Sequence, residues 1–168
     1  MDVKEGEKVL EIGSGCGILS IASVLKGAKW VVSIDVNPYA VLNTKHTALD
    51  SNVYDSIDIV QLYGCKGILS EFDVIIFNPP YLPQERVNSW IEVSWAGGSK
   101  GYEVLFHVLP DVLRLLKCNG RFYTIVSSLS GGMKLVLRLS KWGLRIAKVK
   151  CRRFFFEEIC AVELVKQC

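Results

Sequence analysis

Short runs of β-branched and aliphatic residues alternate along this chain with stretches whose apolar positions recur every three or four residues, the pattern of strands alternating with helices in an α/β sheet. Lys8 to Ile12 reads as a buried strand, and the glycine-rich Gly13 to Gly17 turns it into a helix reaching about Lys26. Trp30 to Ile34 is a second strand. Pro38, suited to a first helical turn, opens a helix that loses its pattern near Asp50, and Ile57 to Leu62 is a third strand. Phe72 to Phe77 is almost wholly apolar, as parallel strands covered on both faces are, and stops at Asn78-Pro79-Pro80 because proline cannot continue the ladder. Beyond a loop containing Gly97-Gly98, Val104 to Leu116 carries a helical stripe in which Pro110 marks a kink or a second start. Gly120 opens a fifth strand to about Ser127, Met133 to Trp142 is a helix, and Leu144 to Lys150 with Ile159 to Val165 are two closing strands. Their connection is short, which predicts an antiparallel hairpin at one edge.

Composition narrows the classes. With 168 residues, half of them hydrophobic, the chain suffices for one well-buried core, and a single domain over 1–168 is expected. The net charge of +3 is smaller than the clustered basic excess of most nucleic-acid binders. No stretch reaches the roughly 20 apolar residues of a membrane span, and the polar opening Met1 to Glu5 is unlike a secretory signal, so a cytoplasmic protein is expected. Six cysteines without a Cys-x-x-Cys pair and only two histidines, His46 and His107, argue against a zinc site within the chain. Reduced thiols are expected of them.

Chemistry concentrates at three places. Gly13, Gly15 and Gly17 sit between strand and helix, where backbone can approach a nucleotide-like ligand; Ile18 occupies the position where the dinucleotide fingerprint carries its third glycine, which speaks against an NAD-dependent oxidoreductase. Asp35 follows the second strand beside the same crevice, where its carboxylate can accept from both ribose hydroxyls or, alternatively, cap the next helix. Asn78-Pro79-Pro80-Tyr81 ends a central strand at the side where open α/β sheets bind ligands. The Asn78 side-chain oxygen and the Pro79 carbonyl can both accept from one NH2 group, proline stiffens the loop, and Tyr81 offers a face for a planar amide or base.

Glu11-Ile12-Gly13-Ser14-Gly15-Cys16-Gly17, Asp35 and Asn78-Pro79-Pro80-Tyr81, in this order, resemble class I S-adenosylmethionine-dependent methyltransferases that act on amino or amide nitrogen. Trp95 to Val104 and Phe155-Phe156-Glu157-Glu158 look like the archaeal and eukaryotic branch of the HemK-like family. The resemblance spans nearly the whole chain. It implies a Rossmann-like class I methyltransferase fold, with a seven-stranded, mostly parallel sheet whose last strand is antiparallel and helices on both faces. It also implies S-adenosyl-L-methionine as cofactor, held by Glu11, Gly13, Gly15, Gly17, Asp35 and Asn78, and catalysis by Asn78, Pro79, Pro80 and Tyr81 without a metal. The family's acceptor is the glutamine of the Gly-Gly-Gln motif in class I translation termination factors, and this branch uses a small zinc-binding activator protein, for which Ile57, Ile59, Val60 and Leu62 on an edge strand are the expected site.

Two features depart from that pattern. The family's cofactor-covering helical segment before the first strand has no counterpart ahead of Lys8, and Val60-Gln61-Leu62-Tyr63 lacks the acidic residue that contacts adenine in relatives. Adenine-amino transfer on DNA or RNA is the alternative activity, since the same motif can hold a flipped base; a non-catalytic binding module with the same fold is another. Lys148, Lys150 and Arg152 alternate on one strand with Arg153 beside them, a row that is ordinarily a solvated face and alternatively a grip for an RNA-associated substrate.

Overall fold

A computed structural model describes residues 1–168. Its frame is one seven-stranded sheet: β1 (Lys8–Ile12), β2 (Trp30–Asp35), β3 (Ile57–Gln61), β4 (Phe72–Phe77), β5 (Leu116–Ser127), β6 (Leu144–Arg153) and β7 (Glu158–Lys166). The order across the sheet is β3-β2-β1-β4-β5-β7-β6, and β7 alone runs opposite to the other six strands. Five helices surround it: α1 (Ile18–Leu25), α2 (Pro38–Asp50), α3 (Trp90–Val93), α4 (Glu103–Leu115) and α5 (Gly132–Ser140). The expected class I arrangement is what the chain adopts.

Alternation along the strands explains the two-sided core. Val9, Val31, Ile57, Val74 and Ile76 join Ile21 and Ala48 in a cluster beneath α1 and α2. Their neighbours Leu10, Ile12, Val32, Ile34, Ile75 and Phe77 point the other way, into a larger cluster with Leu105, Leu109 and Val112 of α4 and Leu135, Val136 and Leu139 of α5. No helix is long and apolar enough to cross a membrane.

Several expectations change in detail. The Val104 stripe forms one helix through Pro110, and the chain enters β5 directly at Leu116, which pairs with Phe72 ahead of a register shift. The hairpin strands are longer than their apolar runs suggest, because the Arg152 and Arg153 backbone still pairs with Ile159 and Glu158. Composition points to reduced thiols, but the structure pairs Cys118 with Cys168 and Cys151 with Cys160 as disulfides, leaving Cys16 and Cys65 free. Strand register sets Cys151 opposite Cys160, and linear spacing could not reveal that. Edge strand β3 is also less apolar outward than its sequence suggests: Ile57 is buried, and Ile59 and Leu62 pack against the core, leaving Val60 exposed beside open backbone.

Phe122 is fully buried at the centre of the larger cluster. Phe122→Ala should cost about 3–5 kcal/mol in urea unfolding, whereas Leu69→Ala, at a side chain 90% exposed, should stay within about 0.5 kcal/mol of the parent.

Candidate functional site

The parallel strands β1, β2 and β4 deliver their following loops to one end of the sheet. There a cavity of about 1080 Å³ is lined by Glu11, Gly13, Gly15, Asp35, Asn78 and Pro80, with further residues from α2, α4 and the 87–96 segment. Gly13, Gly15 and Gly17 take positive φ values of 70°, 57° and 79°. At Gly15 a Cβ would meet nothing within 4 Å, so the bare backbone faces open space. Gly17 serves packing instead. A Cβ there would lie 2.8 Å from Thr44 Cγ2, so the glycine permits α1 to pack closely on α2, and it stands outside the cavity lining.

Asp35 is fixed by two backbone donors. Its Oδ2 accepts from the Gly15 N–H at 2.9 Å and its Oδ1 from the Asn37 N–H at 2.8 Å. Helix α2 is capped instead by Asn37, whose side chain accepts from the Tyr39 N–H at 3.0 Å. Each carboxylate oxygen of Asp35 retains a further lone pair toward the cavity.

Glu11 lies at the floor, only 2% exposed. Its Oε2 accepts from the Ser20 N–H at 2.9 Å and from the Ser20 hydroxyl. Burial pushes the Glu11 carboxyl up from its ordinary 4.5 to about 7, with the Asp35 charge adding to the rise and the two Ser20 bonds opposing it.

The Asn78-Pro79-Pro80-Tyr81 loop is braced from outside. Leu82 N–H donates to Trp95 O and Gly97 N–H to Leu82 O, both at 2.9 Å. A Cβ on Gly97 would fall 2.6 Å from the Pro80 carbonyl oxygen, and one on Gly101 would fall 2.5 Å from that of Tyr81. Asn78 is exposed at the strand end, and its side-chain amide makes no hydrogen bond within the chain. It also lines a second groove of about 430 Å³, with Tyr123, Lys148 and Lys150. Pro79 is buried behind the loop; half-buried Tyr81 lies outside the cavity lining, its phenol pushed up by burial and then by the neighbouring Glu157 charge.

Periodicity did not single out His107 or Tyr63. Both line the cavity near Leu62, their ring centroids 6.0 Å apart, at the position where the expected acidic residue is missing. Trp90 and Ile91 of α3 line it too. Their short helix carries no periodic signal; its N-cap is Ser89, whose side chain accepts from the Glu92 N–H.

The chain is similar to known methyltransferases. The family model for ribosomal protein L11 methyltransferase (PrmA) matches residues 1–79. MJ0928 of Methanocaldococcus jannaschii, assigned by name as a putative protein N5-glutamine methyltransferase, is 36% identical over 165 residues, covering 96% of this chain and 82% of that protein. Human methyltransferase HEMK2 is 31% identical over 169 residues, covering 95% of this chain and 78% of that one. Among solved structures, the E. cuniculi Mtq2–Trm112 complex, described as responsible for methylation of the eRF1 translation termination factor, aligns with a TM-score of 0.72 at 23% identity, over 97% of this chain and 87% of that chain. Ribosomal protein L11 methylase from Lactobacillus delbrueckii subsp. bulgaricus gives 0.70 at 19%, over 94% and 70%. These two likenesses are likenesses of fold.

The Glu11 carboxyl keeps its proton to about pH 7 when folded and releases it near 4.5 when unfolded. Its contribution to stability is therefore fully present below about pH 4.5 and is lost as pH rises through about 7. Glu11→Gln, permanently neutral, removes that dependence. Between pH 5 and 8 the parent should lose on the order of 2 kcal/mol relative to the variant in urea unfolding; parallel pH profiles would show that Glu11 is ionised throughout.

Proposed function

The chain belongs to the HemK-like methyltransferases, and on that premise we propose that it transfers a methyl group from S-adenosyl-L-methionine to the glutamine amide nitrogen in the Gly-Gly-Gln motif of a class I translation termination factor. The observation that carries this reading is the unpartnered amide of Asn78, which opens onto the same cavity as the Gly13 to Gly15 turn and the Asp35 carboxylate. The cavity suits the cofactor: bare backbone at Gly15, a fixed carboxylate for two ribose hydroxyls at Asp35, and the Glu11 acid at the floor. At the other end, His107 and Tyr63 supply the polar and planar surface available to the adenine ring.

When bound, the cofactor would supply an electrophilic methyl group whose bond to sulfur breaks as the acceptor nitrogen takes it, with one of that nitrogen's protons leaving to solvent. Asn78 Oδ1 and the Pro79 carbonyl accept from the two hydrogens of the acceptor NH2 and hold its nitrogen toward the cavity. An amide nitrogen has a delocalised lone pair and is a weak nucleophile, so these bonds contribute most if they tighten as the nitrogen pyramidalises. Pro80 and the Gly97 contact keep the loop from relaxing away from that geometry. Tyr81, next along the loop and outside the cavity lining, offers an aromatic face to the part of the acceptor beyond the cavity.

A small zinc-binding activator protein pairing with edge strand β3 is the partner this reading implies; that Mtq2, a neighbour in fold, is solved in complex with Trm112 supports a partner as such. The open backbone of β3 beside Val60 is suited to strand addition. An isolated chain that proves monodisperse and fully active would remove the need for such a partner.

The decisive experiment offers labelled cofactor with either a termination factor or nucleic acid containing unmethylated adenine. Label should appear on the factor and vanish with its Gln→Ala change; label on adenine alone would overturn the assignment. Asp35→Ala should weaken cofactor binding in calorimetry by about 1.5–3 kcal/mol, the worth of a charge-assisted hydrogen bond. Asn78→Ala should instead lower turnover far more than cofactor affinity, because it removes the contact that orients the reacting nitrogen, while Asp35 and the glycine turn still hold the donor.

A further inference from the structure

The β6–β7 hairpin turns at residues 154–157 and carries Phe154-Phe155-Phe156, of which Phe155 is 98% and Phe156 91% exposed. Adjacent aromatics left this bare on a folded surface mark a contact site more often than an accident. Their location is informative. Because β7 runs antiparallel to β5, the hairpin turns at the carboxyl end of β5, the end of the sheet that also carries Asn78 to Tyr81.

The tip is held there. Glu157 Oε1 accepts from the Ser127 hydroxyl at 2.5 Å, the Glu158 N–H donates to Ser128 Oγ at 2.9 Å, and the Phe154 N–H closes the turn on Glu157 O at 2.7 Å. The turn after β5 that receives these bonds also reaches the acceptor loop: a Cβ on Gly101 would lie 2.5 Å from the Tyr81 carbonyl oxygen and 3.0 Å from Ser130 Cβ. The aromatic tip is therefore a fixed projection at the rim of the acceptor site.

Charge continues the surface. Lys148, Lys150 and Arg152 are exposed on one face of edge strand β6, opposite Glu163, Ala161 and Ile159 of β7, so three cations face one carboxylate. The Arg152 guanidinium lies 5.5 Å from the centre of the Phe154 ring, joining the basic row to the tip.

We propose that the Phe154–Phe156 tip and the Lys148, Lys150 and Arg152 row form the docking surface for the acceptor protein, engaging an acidic surface with an apolar anchor that flanks its acceptor side chain. This rests on the reading above that the acceptor is a protein. Continuity with the acceptor loop selects the occupant, since whatever covers the tip lies against the mouth that must receive the reacting nitrogen. An anionic bilayer would match the same charge and aromatics but would close that mouth. Aromatic anchors supply affinity while the row of cations steers an acidic face into register.

The test measures binding of the full chain to a class I termination factor whose acceptor glutamine is changed to alanine, so that contact is read without turnover. Phe155→Ser with Phe156→Ser should raise the Kd roughly tenfold or more, as loss of two anchors predicts. Lys150→Glu with Arg152→Glu should weaken binding and flatten its salt dependence. Calorimetric cofactor affinity should stay at the parent value in both, which excludes misfolding. Unchanged factor affinity in both variants overturns the proposal, as does tip-dependent binding to anionic vesicles with factor affinity untouched. If the parent labels the factor while the variants bind it normally, only the docking surface falls. If the altered factor binds through the tip but the native factor is never labelled, the docking surface stands and the assigned reaction falls; a parent that neither binds nor labels it removes both.

Discussion

Asp35 accepts one backbone N–H from the loop after β1 and another from the start of α2, and much of the cavity depends on that pair of bonds. Without them, the glycine turn would have only the Gly13 and Ser14 donations to Ile34 O to fix it against β2. A carboxylate accepting backbone N–H groups at strand ends ties two loops together through charge-assisted bonds. The same charge lies close enough to Glu11 to help keep that buried acid protonated. Two carboxyl groups in one cavity are thus separated by environment: Asp35 sits among donors near the surface, and Glu11 is sealed beneath the turn.

The acceptor loop is held differently, by shape. Two prolines remove backbone donors after β4, and the chain compensates by pairing Leu82 with Trp95 and Gly97. Gly97 and Gly101 approach the Pro80 and Tyr81 carbonyls more closely than any side-chain-bearing residue could. The loop after β4 and the segment before α4 therefore act as one unit. Leaving the Asn78 amide without an intrachain partner is tolerable because it is exposed, whereas a buried orphan would cost about 1–3 kcal/mol.

Much of the fold was legible because its strands are apolar blocks bounded by glycine, proline or asparagine. The glycine turn, Asp35 and the Asn78 loop were legible because each interrupts a strand with residues a strand would not choose. What stayed hidden has common physical causes. The start of β5 was masked because Leu116 continues the apolar spacing of α4. α3 is too short to show a period. His107 lies on the outer face of an amphipathic helix, where sequence alone gives no sign of what it faces, and the two cysteine pairings are set by register and by the return of the chain end beside Lys117 to Asn119. The alternation of Lys148, Lys150 and Arg152 predicts a shared face, and the pairing with Glu163, Ala161 and Ile159 places them so, even though a register shift between Ile146 and Lys148 precedes the row.

Strand direction finally decides which parts of the chain can meet at the site. In a wholly parallel sheet every return to the far end is made by a crossover, and loops at the carboxyl ends come only from strand-to-helix turns. Inserting β7 antiparallel between β5 and β6 adds a hairpin turn at that same end. The turn can carry residues that the start of a helix could not, since it need not cap anything. Here that freedom goes to exposed phenylalanines and to Glu157, whose bond to Ser127 ties the hairpin to β5. One reversal of direction thus brings the last part of the sequence to the end of the sheet where the chain up to α4 builds the cavity.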